Sequence, residues 1–134
     1  MKAGDIKTEP SPLGKEDVGG ATRIDAVEFT HMSQEAPTDP VFATLRIEYV
    51  PKEEILVWEY VIDYLKGYRD VAMSPEEAVH TITRELAEAC QPMTLQVTSN
   101  YSSRGGVSVS PQGRWMHPDA RDMQGPGRII TAGQ

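Results

Sequence analysis

Two pairs of side chains in this sequence have types and spacings suited to chemistry. His31 and Ser33 lie two residues apart, so on a continuing strand they share a face. An imidazole beside a hydroxyl is the least that an alcohol nucleophile requires, because a hydroxyl is inert without a neighbouring base. Asp39, in the segment that follows, completes a hydroxyl–imidazole–carboxylate set; the alternative reading is a polar strand end and loop. Glu76 and His80 are four residues apart and project from one side of a strongly signalled helix. A carboxylate accepts two hydrogen bonds in one plane, which matches the N–H and amine edge of a guanine-like or pterin-like ring. The alternatives are an acid that complements the helix dipole and a solvent-facing histidine. Arg104, before Gly105-Gly106, can order a loop or neutralise a carboxylate such as Glu76 of a neighbouring copy.

These residues depend on a short series of elements. Thr22 to His31 reads as a strand with broken alternation, Ile24 and Ala26 facing one way and Val27 and Phe29 the other. Ser33 to Pro40 is a loop with two prolines. Phe42 to Tyr49 alternates cleanly and predicts a half-buried antiparallel strand. Ile55 to Arg69 has apolar residues at helical spacing, widened by Trp58 and Ile62. Ser74, Pro75 and Glu77 announce a second, capped helix that Pro92 ends. Leu95 and Val97 alternate in a third strand, and Val107 and Val109 mark a last one beyond the two glycines. The expected fold is α+β: a four-stranded antiparallel sheet with two antiparallel helices on one face, in the order β-β-α-α-β-β. Residues 1–21 read as a flexible or partner-docked arm, 22–110 as the folded domain, and 111–134 as an extended tail anchored by Trp115, Met116, Ile129 and Ile130.

Composition narrows the function. The chain has 134 residues, 39% hydrophobic and 25% charged, as in a single soluble domain. No apolar run approaches the roughly 18 residues that cross a bilayer, and the first twenty residues lack a secretory core. One cysteine, Cys90, excludes an internal disulfide and a multi-cysteine zinc site, and fits a reducing cytoplasm. At the end of a helix it reads as a small buried hydrophobe. A net charge of −7 opposes nucleic-acid phosphates, which leaves a small molecule or further copies of the chain as partners.

From Tyr49 through Gly106, the phrases Tyr49-Val50-Pro51, Tyr68-Arg69 and Arg104-Gly105-Gly106, with Glu28-Phe29-Thr30 before them, resemble the queuosine-pathway nitrile reductases of the tunnelling-fold superfamily. That resemblance implies a ring of subunits, a pentamer or two stacked pentamers, with ligand sites at subunit boundaries. In the family a cysteine thiolate attacks a cyano-deazaguanine, an aspartate donates a proton, and a glutamate holds the purine-like face. Ser33 stands at the position of the cysteine, and the proton donor falls on Asp39 or, by direct match at the strand start, on Val41. The family's His-Glu pair aligns with Pro75-Glu76, so the glutamate is present and the histidine is not. The implied function is a diverged enzyme for a planar heterocycle, using acid/base rather than thiolate chemistry. The alternatives are a ring-forming binder without catalysis and a nitrile reductase that still acts through Ser33. A zinc cyclohydrolase of the same superfamily does not fit, since the cysteine and histidine spacing it needs is missing.

The family's cofactor motif, a glutamate and two lysines, falls on Val57, Glu59 and Ile62. Those changes delete one charge, invert another and replace the third with an apolar group, which leaves nothing to meet a cofactor phosphate. The expectation is therefore no cofactor and no metal. Calorimetry should show no saturable binding of NADPH; micromolar affinity would overturn this reading of the helix.

Overall fold

The clean alternation of Phe42 to Tyr49 builds the centre of the molecule. In the computed structural model, which describes residues 6–12 and 19–120, the elements are β1 (Thr8–Pro10), β2 (Thr22–Ser33), β3 (Pro40–Val50), β4 (Glu54–Leu56), α1 (Trp58–Lys66), β5 (Ala72–Met73), α2 (Pro75–Cys90), β6 (Thr94–Tyr101) and β7 (Gln112–Met116). β3 buries Ala43, Leu45, Ile47 and Tyr49 and exposes Thr44, Arg46 and Glu48. β2 and β6 flank it antiparallel, with Ile24↔Ile47 and Ile47↔Val97 in one row. α1 packs on β2, and α2 packs on β6 and β7, so both helices share a single core with the inner face of the sheet. Among the described residues no helix is long and apolar enough to cross a membrane.

The sheet has five strands, in the order β5-β2-β3-β6-β7, and is mixed rather than antiparallel throughout. The additional strand is β5, which runs parallel to the end of β2 through Met32↔Ala72 and Ser33↔Met73. Two residues carry too little pattern to be read as a strand, yet this pairing delivers the start of α2 to the end of β2. The last strand also lies elsewhere than expected. Val107 is 71% exposed, and Arg104 and Val107 exchange backbone hydrogen bonds of 2.8 and 3.1 Å around Gly105 and Gly106, at φ +61° and +81°. Two consecutive positive φ angles make this a tight turn that only glycine adopts without strain. β7 instead falls among residues expected to be tail, pairing Val97↔Gly113 and Leu95↔Trp115.

Residues 6–12 also take part in the structure. Ile6 is buried in the core, and β1 pairs antiparallel with β4 through Thr8↔Leu56. With residues 54–56 extended in this ribbon, α1 begins at Trp58 instead of Ile55. Its buried residues Val61, Tyr64 and Leu65 follow helical spacing, while Trp58 and Ile62 remain 59% and 39% exposed. α2 follows its sequence signals closely. Ser74 Oγ accepts from the Glu77 backbone N–H at 3.1 Å, Pro75 occupies the first turn, and Gln91 closes the helix in the left-handed conformation ahead of Pro92.

One extra residue in β2 accounts for its broken alternation. Ala26 pairs with Leu45 and Phe29 with Ala43, so three steps along β2 match two along β3. This bulge projects Val27, 84% exposed, out of the sheet and returns Phe29 and His31 to the core face, where both are buried. Phe29 thus lies on the same side as Ile24 and Ala26, not opposite them.

Gly113 sets the spacing between α2 and β7. A Cβ built there would overlap the Thr83 hydroxyl and its Cβ. Gly113→Ala should therefore lower unfolding stability by about 1–3 kcal/mol in chemical denaturation, and adding Thr83→Ala should restore part of the loss.

Candidate functional site

The ends of β2 and β6, the start of α2 and the glycine turn converge at one end of the sheet. β5 draws the α2 cap, Ser74, alongside Ser33, and Ala43↔Tyr101 registers the end of β6 beside β3. The Ser33 backbone N–H donates to the Asp39 carbonyl at 2.8 Å, closing the connecting loop on itself. The Asp39 carboxylate lies 3.7 Å from Arg104 Nη2, with both side chains about half exposed. Arg104 thus meets a carboxylate of its own chain, Asp39, and links the glycine turn to the loop after β2. Such a pair spans two loops and is worth little to stability.

His31 is fully buried and is not paired with Ser33. Its Nδ1 lies 2.9 Å from the Met32 carbonyl and its Nε2 2.8 Å from the Tyr101 hydroxyl. Ser33 Oγ accepts from the Ala36 backbone N–H at 3.3 Å. The hydroxyl–imidazole–carboxylate set expected from His31, Ser33 and Asp39 is consequently not assembled. In a buried site both ring nitrogens need partners, and a carbonyl and a phenol supply them. Val41, the other candidate for the proton-donor position, pairs with His31 in register and packs against the core.

Glu76 stands exposed in the first turn of α2, beside Tyr101, whose phenol its charge helps push to a higher pKa after the larger effect of burial. His80, one turn along, is also exposed. Tyr101 is the site residue that the sequence reading missed. Its signal was the continued alternation Leu95, Val97, Ser99, Tyr101, obscured by the turn-like residues Ser99 and Asn100. Burial pushes the Cys90 thiol up to about 12, which suits a buried hydrophobe.

Val57, Glu59 and Ile62, which the sequence resemblance aligns with the reductases' cofactor motif, lie at the N-cap and along α1, where Glu59 and Ile62 are exposed. They offer one acid and two apolar side chains, a set unsuited to phosphate. Among the described residues no group of three or more His, Cys, Asp or Glu side chains is placed to hold a metal ion.

A mixed sheet covered on one face by two helices, with polar residues gathered at the strand ends, is the arrangement of the tunnelling fold. Residues 40–119, more than half of the chain, match the model of the family described as QueF-like protein, and the chain belongs to that family. It is 38% identical over 68 residues to the NADPH-dependent 7-cyano-7-deazaguanine reductase of Gloeothece citriformis, a match covering 51% of this chain and 49% of that one. It is 29% identical over 118 residues to the enzyme of the same name from Gloeobacter violaceus, covering 88% and 84%. In the first of these matches the chain spans about half the length of the curated relative. The apo crystal structure of the archaeosine synthase QueF-Like superposes with a TM-score of 0.66 at 19% identity, over 78% of this chain and 94% of the other. That likeness concerns the fold.

The burial of His31 carries a pH dependence. Desolvation holds its pKa below the ordinary 6.5, with the Met32 hydrogen bond opposing in part. Below 6.5 the unfolded chain binds a proton that the folded chain refuses, so stability falls with pH until His31 itself titrates. The melting temperature should drop between about pH 7.5 and about pH 5.5, and more steeply than in His31→Gln. Equal slopes in the two proteins would assign the dependence to other groups.

Proposed function

We propose that this protein is a diverged, ring-forming member of the QueF-like family that binds a small planar nitrogen heterocycle at the strand-end site. Chemistry there is acid/base and hydrogen bonding rather than thiolate attack with hydride delivery. The observation that carries this reading is the state of Ser33 and His31. A serine stands where the nitrile reductases have their nucleophile, its oxygen is engaged by the loop backbone, and the nearby imidazole is committed to Met32 and Tyr101. Without that imidazole as its base, a hydroxyl near neutral pH is a poor substitute for a thiol. Glu76 offers an exposed carboxylate in the first turn of α2, fit to grip paired N–H donors, and the exposed His80 follows it one turn along. A second reading, a ligand-binding protein without catalysis, is favoured by the same engagement of His31, which withdraws that imidazole from acid/base work.

The sheet edges support assembly. From Thr22 to His31 β2 has no described strand on its outer side, and β7 is the other edge. An unpaired edge is a template for another chain. Beside it, β2 and α1 form a groove of about 400 Å³ lined by Ala26, Phe29, Trp58, Ile62 and Leu65. A second copy fits here, giving a cyclic oligomer, a pentamer or two stacked pentamers, with the ligand sites at its boundaries.

Two measurements test these readings. Light scattering at micromolar concentration should report a mass several times that of the 14.8 kDa chain; a monomer would remove the ring and its boundary sites. A thermal-shift screen of deazaguanines, pterins and nucleobases should find a stabilising ligand. Glu76→Ala should then fold through the intact Ser74 cap while losing about 1–3 kcal/mol of binding. Full retention of binding would reduce Glu76 to a helix-start acid.

A further inference from the structure

The face of the sheet that points away from the core carries charges of which not all are paired. Asp25 engages both Arg23 and Arg46, which closes one cluster. Glu48 and Arg114 are exposed on the same face. Among the described residues neither makes a side-chain hydrogen bond or an ion pair within the chain. The ladder shows why they do not meet. Its register runs Glu48↔Gln96 and Gln96↔Arg114, so the carboxylate and the guanidinium stand two strands apart with an amide between them. Two strand spacings separate their backbones by about 9.6 Å.

A second row lies beside this one, with Val50↔Thr94 and Thr94↔Met116 in register. Strand side chains alternate, so both rows project from one face, about 7 Å apart along the strands. The first row is acid, amide and base; the second is apolar apart from the Thr94 hydroxyl. Together these six side chains line a cleft of about 440 Å³. It is distinct from the strand-end site. That site gathers about Ala43 and Tyr101, whereas the cleft sits at the other end of β3, about 20 Å along the strand and on the opposite face.

We propose that this cleft binds a free α-amino acid with an apolar side chain. The ligand carboxylate takes the planar fork of the Arg114 guanidinium, a pairing that can be bidentate. The ligand ammonium donates to Glu48 and to the Gln96 carbonyl, and the Gln96 amide N–H groups can serve the carboxylate. Arg114 and Glu48 are long enough to reach over Gln96 from either side. The apolar arm then rests on Val50 and Met116, where it covers surface that is otherwise wet. Charge excludes simpler occupants. An anion alone would face Glu48 with nothing to offset the repulsion, and a cation alone would face Arg114, whereas a zwitterion meets both with the right sign. The proposal stands independently of the heterocycle reading of the strand-end site.

Leucine titrated into the full chain, labelled with carbon-13 at its methionine methyl groups, tests this by NMR. Met116 lines the cleft and Met73 is buried in the core, so one methyl reports on the site and the other serves as control. Met116→Leu assigns the reporting signal. The Met116 methyl should shift saturably with leucine while that of Met73 stays in place. Two half-ligands separate the charges: 4-methylpentanoate lacks the ammonium, and 3-methylbutylamine lacks the carboxylate. Each should bind about tenfold or more weakly than leucine, the scale of one charged hydrogen-bonding partner. Arg114→Gln should cost leucine about tenfold and leave 3-methylbutylamine unchanged; Glu48→Gln should do the same for leucine and leave 4-methylpentanoate unchanged. Both substitutions are at exposed positions, and an unaltered melting temperature confirms that the fold is kept. A Met116 methyl that does not shift, or shifts without saturating, would end the proposal. So would 4-methylpentanoate binding as tightly as leucine, which would make the cleft an anion site, or leucine affinity unchanged in both variants.

Discussion

A single inserted residue at Val27–Glu28 determines which side of the sheet the end of β2 presents to the helices. Side chains on a strand alternate with a period of two, so a slip of one residue exchanges the two faces. The bulge introduces that slip halfway along β2, and the residues after it change sides. Phe29 and His31 consequently reach the core instead of solvent. From there an aromatic series runs beneath both helices. Tyr68 meets Phe29 edge-on at 5.6 Å between centroids, Phe29 meets His31, and His31 meets Tyr101. Each contact needs the register that the bulge establishes.

Buried polar groups along this series are satisfied by one another. Tyr64 donates to Glu85 Oε1 at 2.5 Å, and the Tyr68 hydroxyl lies 2.8 Å from that of Tyr64 and 3.1 Å from the same carboxylate oxygen. Burial, more than the carboxylate, raises the Tyr68 phenol to about 12 and lifts Tyr64 further. These phenols remain protonated and hold α1 to α2. The His31–Tyr101 pair plays the corresponding part between β2 and β6. On the opposite face of the sheet, exposed charges meet in water, where Asp25 pairs with both Arg23 and Arg46. Such pairs contribute solubility more than stability.

The QueF-like scaffold and the chemistry placed on it are separable in this chain. The helices, the capped α2 and the glycine turn are set by packing and backbone geometry, which tolerate changes at the strand ends. A shared fold therefore does not carry a reaction with it. Ser33 at the end of β2, and Glu59 and Ile62 on α1, lie outside the buried core, so residues at these positions can vary without disturbing it.

Much of the scaffold was legible in the residues themselves. The alternation of β3, the Ser74-Pro75-Glu77 start of α2, the stop at Pro92 and the tight turn at Gly105-Gly106 are local signals, each with a local physical cause, and the structure reproduces them. The positions of Ser33, Asp39, Glu76 and Arg104 could be named from sequence, but not their partners. β5 and the β1–β4 ribbon have two or three residues per strand, too few for a pattern, and exist because distant segments pair. β7 was hidden because its Gly113 is chosen by the approach of Thr83, across the core from a helix. Whether His31 faces Ser33 or Tyr101 depends on a bulge, a ladder register and burial together. Hydrogen bonds between residues seventy positions apart are decided by tertiary packing, since nothing local specifies them.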